Sequence, residues 1–263
     1  MIVFKYHGCG NSFLIINKEK DIDYPWLSKR LCNVIDGIGS DGLIVAGINP
    51  LSMRIFNKDG SEASMCGNGI RCFVHYLLDQ GLIEEDFLKI YTLAGEIEVK
   101  VISPNPFICD VNLGKPKFRI ENEPTTVSTE DKPFDLYSIW LGTEHGVVFV
   151  DSFALLEEKN LGSIIAQATP FETGTNVNFL LFLNSENALV KTYERGVGWT
   201  PSCGTGAGAC FAIAQKFAKC QQFLRILYPY GILTYYVDSS DSIHLVGPSQ
   251  KVAKIFLEKR IEK

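Results

Sequence analysis

Two cysteines open near-identical tetrads, Cys66-Gly67-Asn68-Gly69 and Cys203-Gly204-Thr205-Gly206. Each tetrad runs into apolar residues at helical spacing. After Cys66 these are Ile70, Phe73, Val74, Leu77 and Leu78, with Gly81 as a stop; after Cys203 they are Cys210, Ile213, Ala214, Phe217 and Ala218. The pattern predicts a helix beginning at each cysteine. A thiol is a base only as thiolate, and a helix N-terminus lowers the ordinary thiol pKa of about 8.5. The unpaired N–H groups of that terminus can also hold a carboxylate, and the glycines let a ligand approach them. Two such starts can place one sulfur on each face of the α-carbon of a bound amino acid. One sulfur then removes the proton and the other returns one from the opposite side, which inverts the centre. General acid–base catalysis contributes only about 10²–10⁴-fold, so N–H groups aimed at the carboxylate must stabilise the carbanion's charge. A single cysteine at a helix start is ordinarily structural; the repetition with matched glycines argues for chemistry.

The elements that position these groups also repeat. Nine residues before each cysteine, in a strand-like stretch, stands a polar residue, Asn57 and Glu194. Further upstream an asparagine adjoins a strand in each half, Asn11 before Phe13-Leu-Ile-Ile16 and Asn176 before Phe179-Leu-Leu-Phe-Leu183. Other short β-rich runs are Leu43-Ile-Val45, Glu96-Ile-Glu-Val-Lys-Val-Ile102 and Gly146-Val-Val-Phe-Val150. The repetition predicts two similarly folded lobes. A less regular stretch with four prolines, 103–125, suggests a boundary, giving lobes of 1–114 and 115–249. The apolar tail Val252-Ala-Lys-Ile-Phe-Leu257 reads as a final strand, so that 250–263 is expected to return to the first lobe.

Composition narrows the function classes. The chain has 263 residues, 46% hydrophobic, with a net charge of -5 and no basic block. Such a chain has ample material for a core and no feature favouring nucleic acid or a membrane surface. No apolar run is long enough to span a bilayer. Eight cysteines without a C-x-x-C pair, and four scattered histidines, give no support for a structural zinc site. Without an export signal, a cytoplasmic, reduced protein is expected. Gly204-Thr-Gly206-Ala-Gly208-Ala209 superficially matches a dinucleotide loop, but no acidic residue follows about 20 residues on.

The chain resembles the diaminopimelate epimerase family over essentially its whole length. The resemblance is carried by Lys5-Tyr-His-Gly-Cys-Gly-Asn-Ser-Phe13, Ile55-Phe-Asn-Lys-Asp-Gly-Ser-Glu62, Met65-Cys-Gly-Asn-Gly-Ile-Arg-Cys72, Gly174-Thr-Asn-Val-Asn178, Tyr193-Glu-Arg-Gly-Val-Gly198 and Cys203-Gly-Thr-Gly-Ala207. Asn68 separates it from proline racemases, which tend to carry His there, and the two cysteines separate it from phenazine-type isomerases. The resemblance implies an α/β (α+β) fold of two pseudo-symmetric lobes. Each is expected to be a curved, mostly antiparallel sheet wrapped round a central helix, with the active site in the cleft between them. It implies Cys66 and Cys203 as the acid/base pair, with no metal, PLP or nucleotide. The family's substrate-contact positions match here at Asn11, Asn57, Asn176, Glu194 and Arg195, with backbone at Gly67, Asn68, Gly204 and Thr205 expected on the carboxylate of the reacting centre. His145 matches a family histidine near the site and reads equally well as a packed, hydrogen-bonded residue. The implied reaction converts LL- to meso-diaminopimelate in lysine and peptidoglycan precursor synthesis; a homodimer rests on analogy alone.

Two positions depart from the family. Gly142-Thr143-Glu144-His145 stands where Gly-Asn-Pro-His is usual, and Trp199 where Glu is usual. Thr143 lacks the amide that contacts substrate, which predicts looser recognition of the distal head and slow racemisation of a shorter acid such as glutamate. A racemase of another amino acid, and a non-catalytic thiol-based binding or redox protein, stay open as alternatives.

Overall fold

The computed structural model describes residues 1–119, 123–130, 132–168 and 174–258. The chain divides into two compact units, Met1–Val111 with the segment beginning at Val246, and Asn112–Leu245. The first contains β1 (Ile2–Gly8), β2 (Asn11–Asn17), α1 (Tyr24–Cys32), β3 (Gly42–Gly47), β4 (Ser52–Asn57), β5 (Glu62–Ala63), α2 (Gly67–Asp79), β6 (Phe87–Thr92), β7 (Gly95–Pro104) and most of β8 (Phe107–Gly114). The second contains β9 (Lys117–Phe118), β10 (Thr125–Val127), β11 (Phe134–Trp140), β12 (Glu144–Phe149), α3 (Leu161–Ala166), β13 (Asn176–Phe182), β14 (Asn187–Glu194), β15 (Gly198–Thr200), α4 (Gly204–Lys216), β16 (Phe223–Tyr228) and β17 (Gly231–Val237). The divide also falls within β18 (Ile243–Pro248), and β19 (Gln250–Phe256) belongs to the first unit. The fold is thus mixed α/β, rich in strands and poor in helices. No helix among the described residues is long and apolar enough to cross a membrane.

Both units follow one connectivity. In the first, β1 and β2 are antiparallel, β2 and β3 parallel around α1, β3–β4 and β4–β5 antiparallel; α2 follows, and β6 returns parallel to β4. In the second, β11–β12, β12–β13 around α3, β13–β14, β14–β15, α4 and β16 beside β14 repeat every step with the same sense. The strands between two helices are buried almost throughout, because both faces are covered. All six residues of β3 are buried, with α1 packed on it and α2 also in contact. β13 lies between α3 and α4 in the same way.

The repetition corrects one pairing expected from sequence. Asn11 opens β2, whose counterpart is β12, whereas Asn176 opens β13, whose counterpart is β3. The two asparagines therefore occupy different places, one strand and one crossover helix apart. The true counterpart of the Asn11 turn is the β11–β12 hairpin that carries Thr143 and Glu144.

The apolar stripe of α2 sinks Ile70, Phe73, Val74 and Leu77, and the helix stops at Gly81, whose φ of 64° is in the left-handed region. Helix α4 is buried nearly all round from Gly204 to Ala214, as a helix enclosed by sheet must be. It ends at Lys216, earlier than its apolar spacing predicts; Ala218 adopts φ 52° and Phe217 packs edge-on to Tyr137. The tail strand β19 pairs with β1 from Ile2↔Phe256 to His7↔Gln250. It is further tied to α2 by Asp79, which accepts from Tyr6 Oη at 2.5 Å and Lys251 Nζ at 2.6 Å. Residues 259–263 of the expected C-terminal strand lie outside the described residues.

Candidate active site

Each cysteine is the N-cap of its helix, with extended backbone (φ -146° at Cys66, -127° at Cys203). Each sulfur accepts from the N–H three residues on, Gly69 and Gly206, at 3.4 Å in both cases. Cysteine here takes the place of the usual Ser, Thr, Asp or Asn cap. A cap accepts hydrogen bonds, so the position favours the negatively charged form of a side chain. The remaining six cysteines have no such setting. Burial pushes Cys32 and Cys220 up to about 11 and Cys109 to about 12, and it raises Cys9, Cys72 and Cys210 as well. They stay neutral thiols inside the core.

Around Cys66 the structure gathers Asn11, Gly67 and Asn68. Asn11 Oδ1 lies 3.9 Å from Cys66 Sγ and accepts from Asn68 Nδ2 at 3.3 Å, while Asn11 Nδ2 donates to Asp41 Oδ2 at 3.0 Å. Asn57 closes β4 opposite Gly42 and donates to Ser61 Oγ at 3.0 Å. The sequence alone did not single out Arg71. Its side chain is fully buried and donates to Gly67 O, Pro248 O, Asn68 Oδ1 and the Cys9 sulfur. None of these acceptors is a carboxylate, so the guanidinium holds the first turn of α2 by hydrogen bonds while placing a positive charge beneath it.

Around Cys203 the structure gathers Thr205 and His145. Thr205 Oγ1 lies 3.6 Å from Cys203 Sγ and 3.2 Å from His145 Nε2. His145 Nδ1 meets Asn178 Nδ2 at 3.2 Å. Asn178, fully buried and also not singled out from the sequence, donates to Gly146 O and accepts from Thr192 Oγ1 at 3.0 Å. A signal was available: Asn178 shares a strand face with Asn176 in an otherwise apolar run. Asn176 bridges the hairpin and the end of β14, donating to Glu144 O at 3.3 Å and accepting from Arg195 N–H at 2.9 Å. Arg195 is exposed and reaches Gly174 O, and Glu194 accepts from Thr200 Oγ1 at 2.8 Å.

The departing residues have local explanations. Glu144 forms an ion pair with Arg119, so its charge is directed to a partner on its own unit. Thr143 turns its carbonyl to Leu141 N–H at 2.9 Å, and Gly142 takes φ 73° to close the hairpin. Trp199 packs on the core beside α3, tilted against Phe179 at 5.8 Å and edge-on to Tyr193 at 5.5 Å. Replacing it with the family's acid, Trp199→Glu, is expected to cost about 2 kcal/mol, read as a lower urea midpoint with unchanged slope.

Burial, with no charged partner, drives His145 down to about 3 from 6.5. The folded state thus keeps a neutral ring where the unfolded chain binds a proton. Stability is expected to fall as pH drops from about 6.5 towards about 3, because the unfolded state then binds more protons than the folded one. Urea titrations across that window should show a shallower decline in His145→Gln than in the wild type.

Among the described residues no cluster of three His, Cys, Asp or Glu is placed to hold a metal. The fold is shared with solved proteins. A probable proline racemase from Agrobacterium radiobacter matches at TM-score 0.74 and 14% identity, covering 97% of this chain and 92% of that one. A phenazine biosynthesis protein of the PhzF family from Bacillus anthracis matches at 0.72 and 15% identity, covering 97% and 98%. At such identities the likeness speaks for the fold. The sequence is more specific: the model of the diaminopimelate epimerase family matches residues 3–119 and 137–252. The diaminopimelate epimerase of Caldanaerobacter subterraneus subsp. tengcongensis is 36% identical over 94% of this chain and 96% of its own length. That of Halothermothrix orenii is 34% identical over 94% of each. The chain is an isomerase of the epimerase and racemase kind. It belongs to the diaminopimelate epimerase family.

Proposed function

We propose that this protein converts LL-diaminopimelate to meso-diaminopimelate, with Cys66 and Cys203 as a thiolate/thiol pair. The observation that supports the reading most is the duplicated cap. Two cysteines, at matching places in one repeated connectivity, each accept the same N–H at the start of a buried, glycine-opened helix. The thiolate of one removes the α-proton, and charge spreads into the carboxylate. The thiol of the other delivers its proton to the opposite face. Thiol and thiolate have then exchanged places, and no electron is gained or lost. Backbone at Gly67, Asn68, Gly204 and Thr205 would hold the reacting carboxylate and stabilise its developing charge. Arg195 suits a second carboxylate and Glu194 an ammonium, with Asn11, Asn57 and Asn176 as amide contacts. The reaction belongs to lysine and peptidoglycan precursor synthesis, in the cytoplasm.

Recognition of the distal head is proposed to be looser than usual in the family. Thr143 offers a hydroxyl where an amide is usual, and Asn176 already spends both ends of its amide on Glu144 O and Arg195 N–H. The test is α-proton exchange in D2O by the reduced protein with LL-diaminopimelate, glutamate and aspartate. Rapid exchange with inversion on diaminopimelate is expected, with slow exchange on glutamate. No exchange on diaminopimelate overturns the substrate; exchange on it alone overturns the looseness.

A further inference from the structure

The two cysteines share a cap but differ in what else approaches the sulfur. In the first unit the residue two beyond the cysteine is Asn68, whose amide donates to Asn11 Oδ1. In the second it is Thr205, whose hydroxyl lies between Cys203 Sγ and His145 Nε2. We propose that Thr205 is a positioning residue for Cys203: its hydroxyl accepts from the Nε2–H of His145 and turns its own proton to the sulfur, favouring the thiolate. This rests on Cys203 being one of the proposed pair.

The direction of each bond follows from groups that can act in only one way. Gly146 O can only accept, so the Asn178 atom 3.1 Å from it is the donating nitrogen. The same nitrogen, with its second hydrogen, faces His145 Nδ1 at 3.2 Å. The far end of the amide accepts from Thr192, which fixes the orientation from the other side. His145 Nδ1 is therefore an acceptor and carries no proton. Full burial keeps the ring neutral, so its single proton sits on Nε2 and points at Thr205 Oγ1. A hydroxyl has one proton to give. With a lone pair taken by His145, the remaining neighbour for that proton is the sulfur.

Helix α4 is packed by β11, β12, β13, β16 and β17. Of their titratable groups, Tyr235 of β17 donates to Gly204 O at 2.8 Å, and its neighbour Tyr236 stacks on His244 at 4.8 Å. Tyr137 of β11 lies at the far end against Phe217, and Asp135 of the same strand accepts from Thr126 Oγ1; Arg225 of β16 pairs with Glu186, Tyr228 closes that strand opposite Gly231, and Glu144 of β12 pairs with Arg119. The β13 strand carries no titratable side chain. His145 thus acts through Thr205, as a neutral donor of fixed tautomer and not as an acid or base.

The experiment follows alkylation by iodoacetamide at Cys203 and Cys66 separately, by peptide mass spectrometry, against pH. The midpoint reports thiolate formation and is insensitive to how exposed each sulfur is. Thr205→Val is expected to raise the Cys203 midpoint by about 1 unit, a tenfold loss of thiolate at fixed pH, and to leave Cys66 unmoved. Thr205→Ser should keep the wild-type midpoint. An unmoved Cys203 midpoint in Thr205→Val, or an equal shift at both cysteines, overturns the proposal. Nitrogen NMR of the unaltered protein is the second measurement. A neutral His145 protonated on Nε2 is expected across the neutral range, and a proton on Nδ1, or on both nitrogens, overturns it. Turnover in Cys203→Ala reports separately on the paired-thiol reading: undiminished epimerisation there sinks the pair, whatever the midpoints show.

Discussion

Cys66→Ala and Cys203→Ala are each expected to lower epimerisation of diaminopimelate by about 10³–10⁴-fold or more, because each removes the acid in one direction and the base in the other. The two variants should differ in what survives. With one sulfur gone, the other still faces one side of the α-carbon. It can take a proton from the isomer that presents hydrogen to it and return a deuteron to the same face. Each variant is thus expected to exchange one stereoisomer without inverting it, and the two variants should choose opposite isomers. Stereochemically resolved exchange in D2O measures this directly. Should both variants exchange the same isomer, only one sulfur reaches the α-carbon and the paired mechanism is wrong. The other six cysteines make poor substitutes, since burial holds them as neutral thiols.

The sequence revealed the two helix-capping cysteines better than the residues that support them. Cys66 and Cys203 stand out because a cysteine followed by glycines at the start of a helical spacing is a local pattern. The strand-rich chain with two helices beginning at the cysteines was legible for the same reason, from periodicity over a few residues; that each helix is wrapped by sheet came only from the family resemblance. Arg71 was hidden: a charge within an amphipathic helix reads as its solvent face, and two of the acceptors that make its burial tolerable, Pro248 O and the Cys9 sulfur, come from segments far along the chain. Asn178 was hidden inside an apolar run, because its partners come from β12 and β14. The mistaken equivalence of Asn11 with Asn176 has a topological cause. Both precede a buried strand, but a parallel pair needs a crossover, and α1 inserts one between Asn11 and the strand that corresponds to β13. Trp199, standing where the family usually has Glu, sits on a core cluster that no local pattern announces.

Gly206→Ala is expected to be far more damaging than the matching Gly69→Ala, although the helix propensity of alanine exceeds that of glycine by about 1 kcal/mol. A Cβ at 69 would meet the tips of Ile55 and Ile44 at 3.3 and 3.5 Å and Cys66 Cβ at 3.4 Å. Isoleucine tips can give by a few tenths of an ångström, so Gly69→Ala should stay within about 1 kcal/mol of the wild type. A Cβ at 206 would overlap Asn178 Oδ1, with Asn178 Cγ at 3.0 Å and Cys203 Sγ at 3.2 Å. Asn178 cannot retreat, because Thr192, Gly146 and His145 hold both ends of its amide and it is fully buried. The strain must either break that amide's bonds or push the first turn of α4 away from Cys203. A loss of about 3 kcal/mol is expected, together with loss of turnover even in the folded fraction. Urea midpoints beside stereospecific exchange measure both. A Gly206→Ala protein as stable and active as the wild type would mean that Asn178 is free to move, and the fixed tautomer at His145 would fall with it.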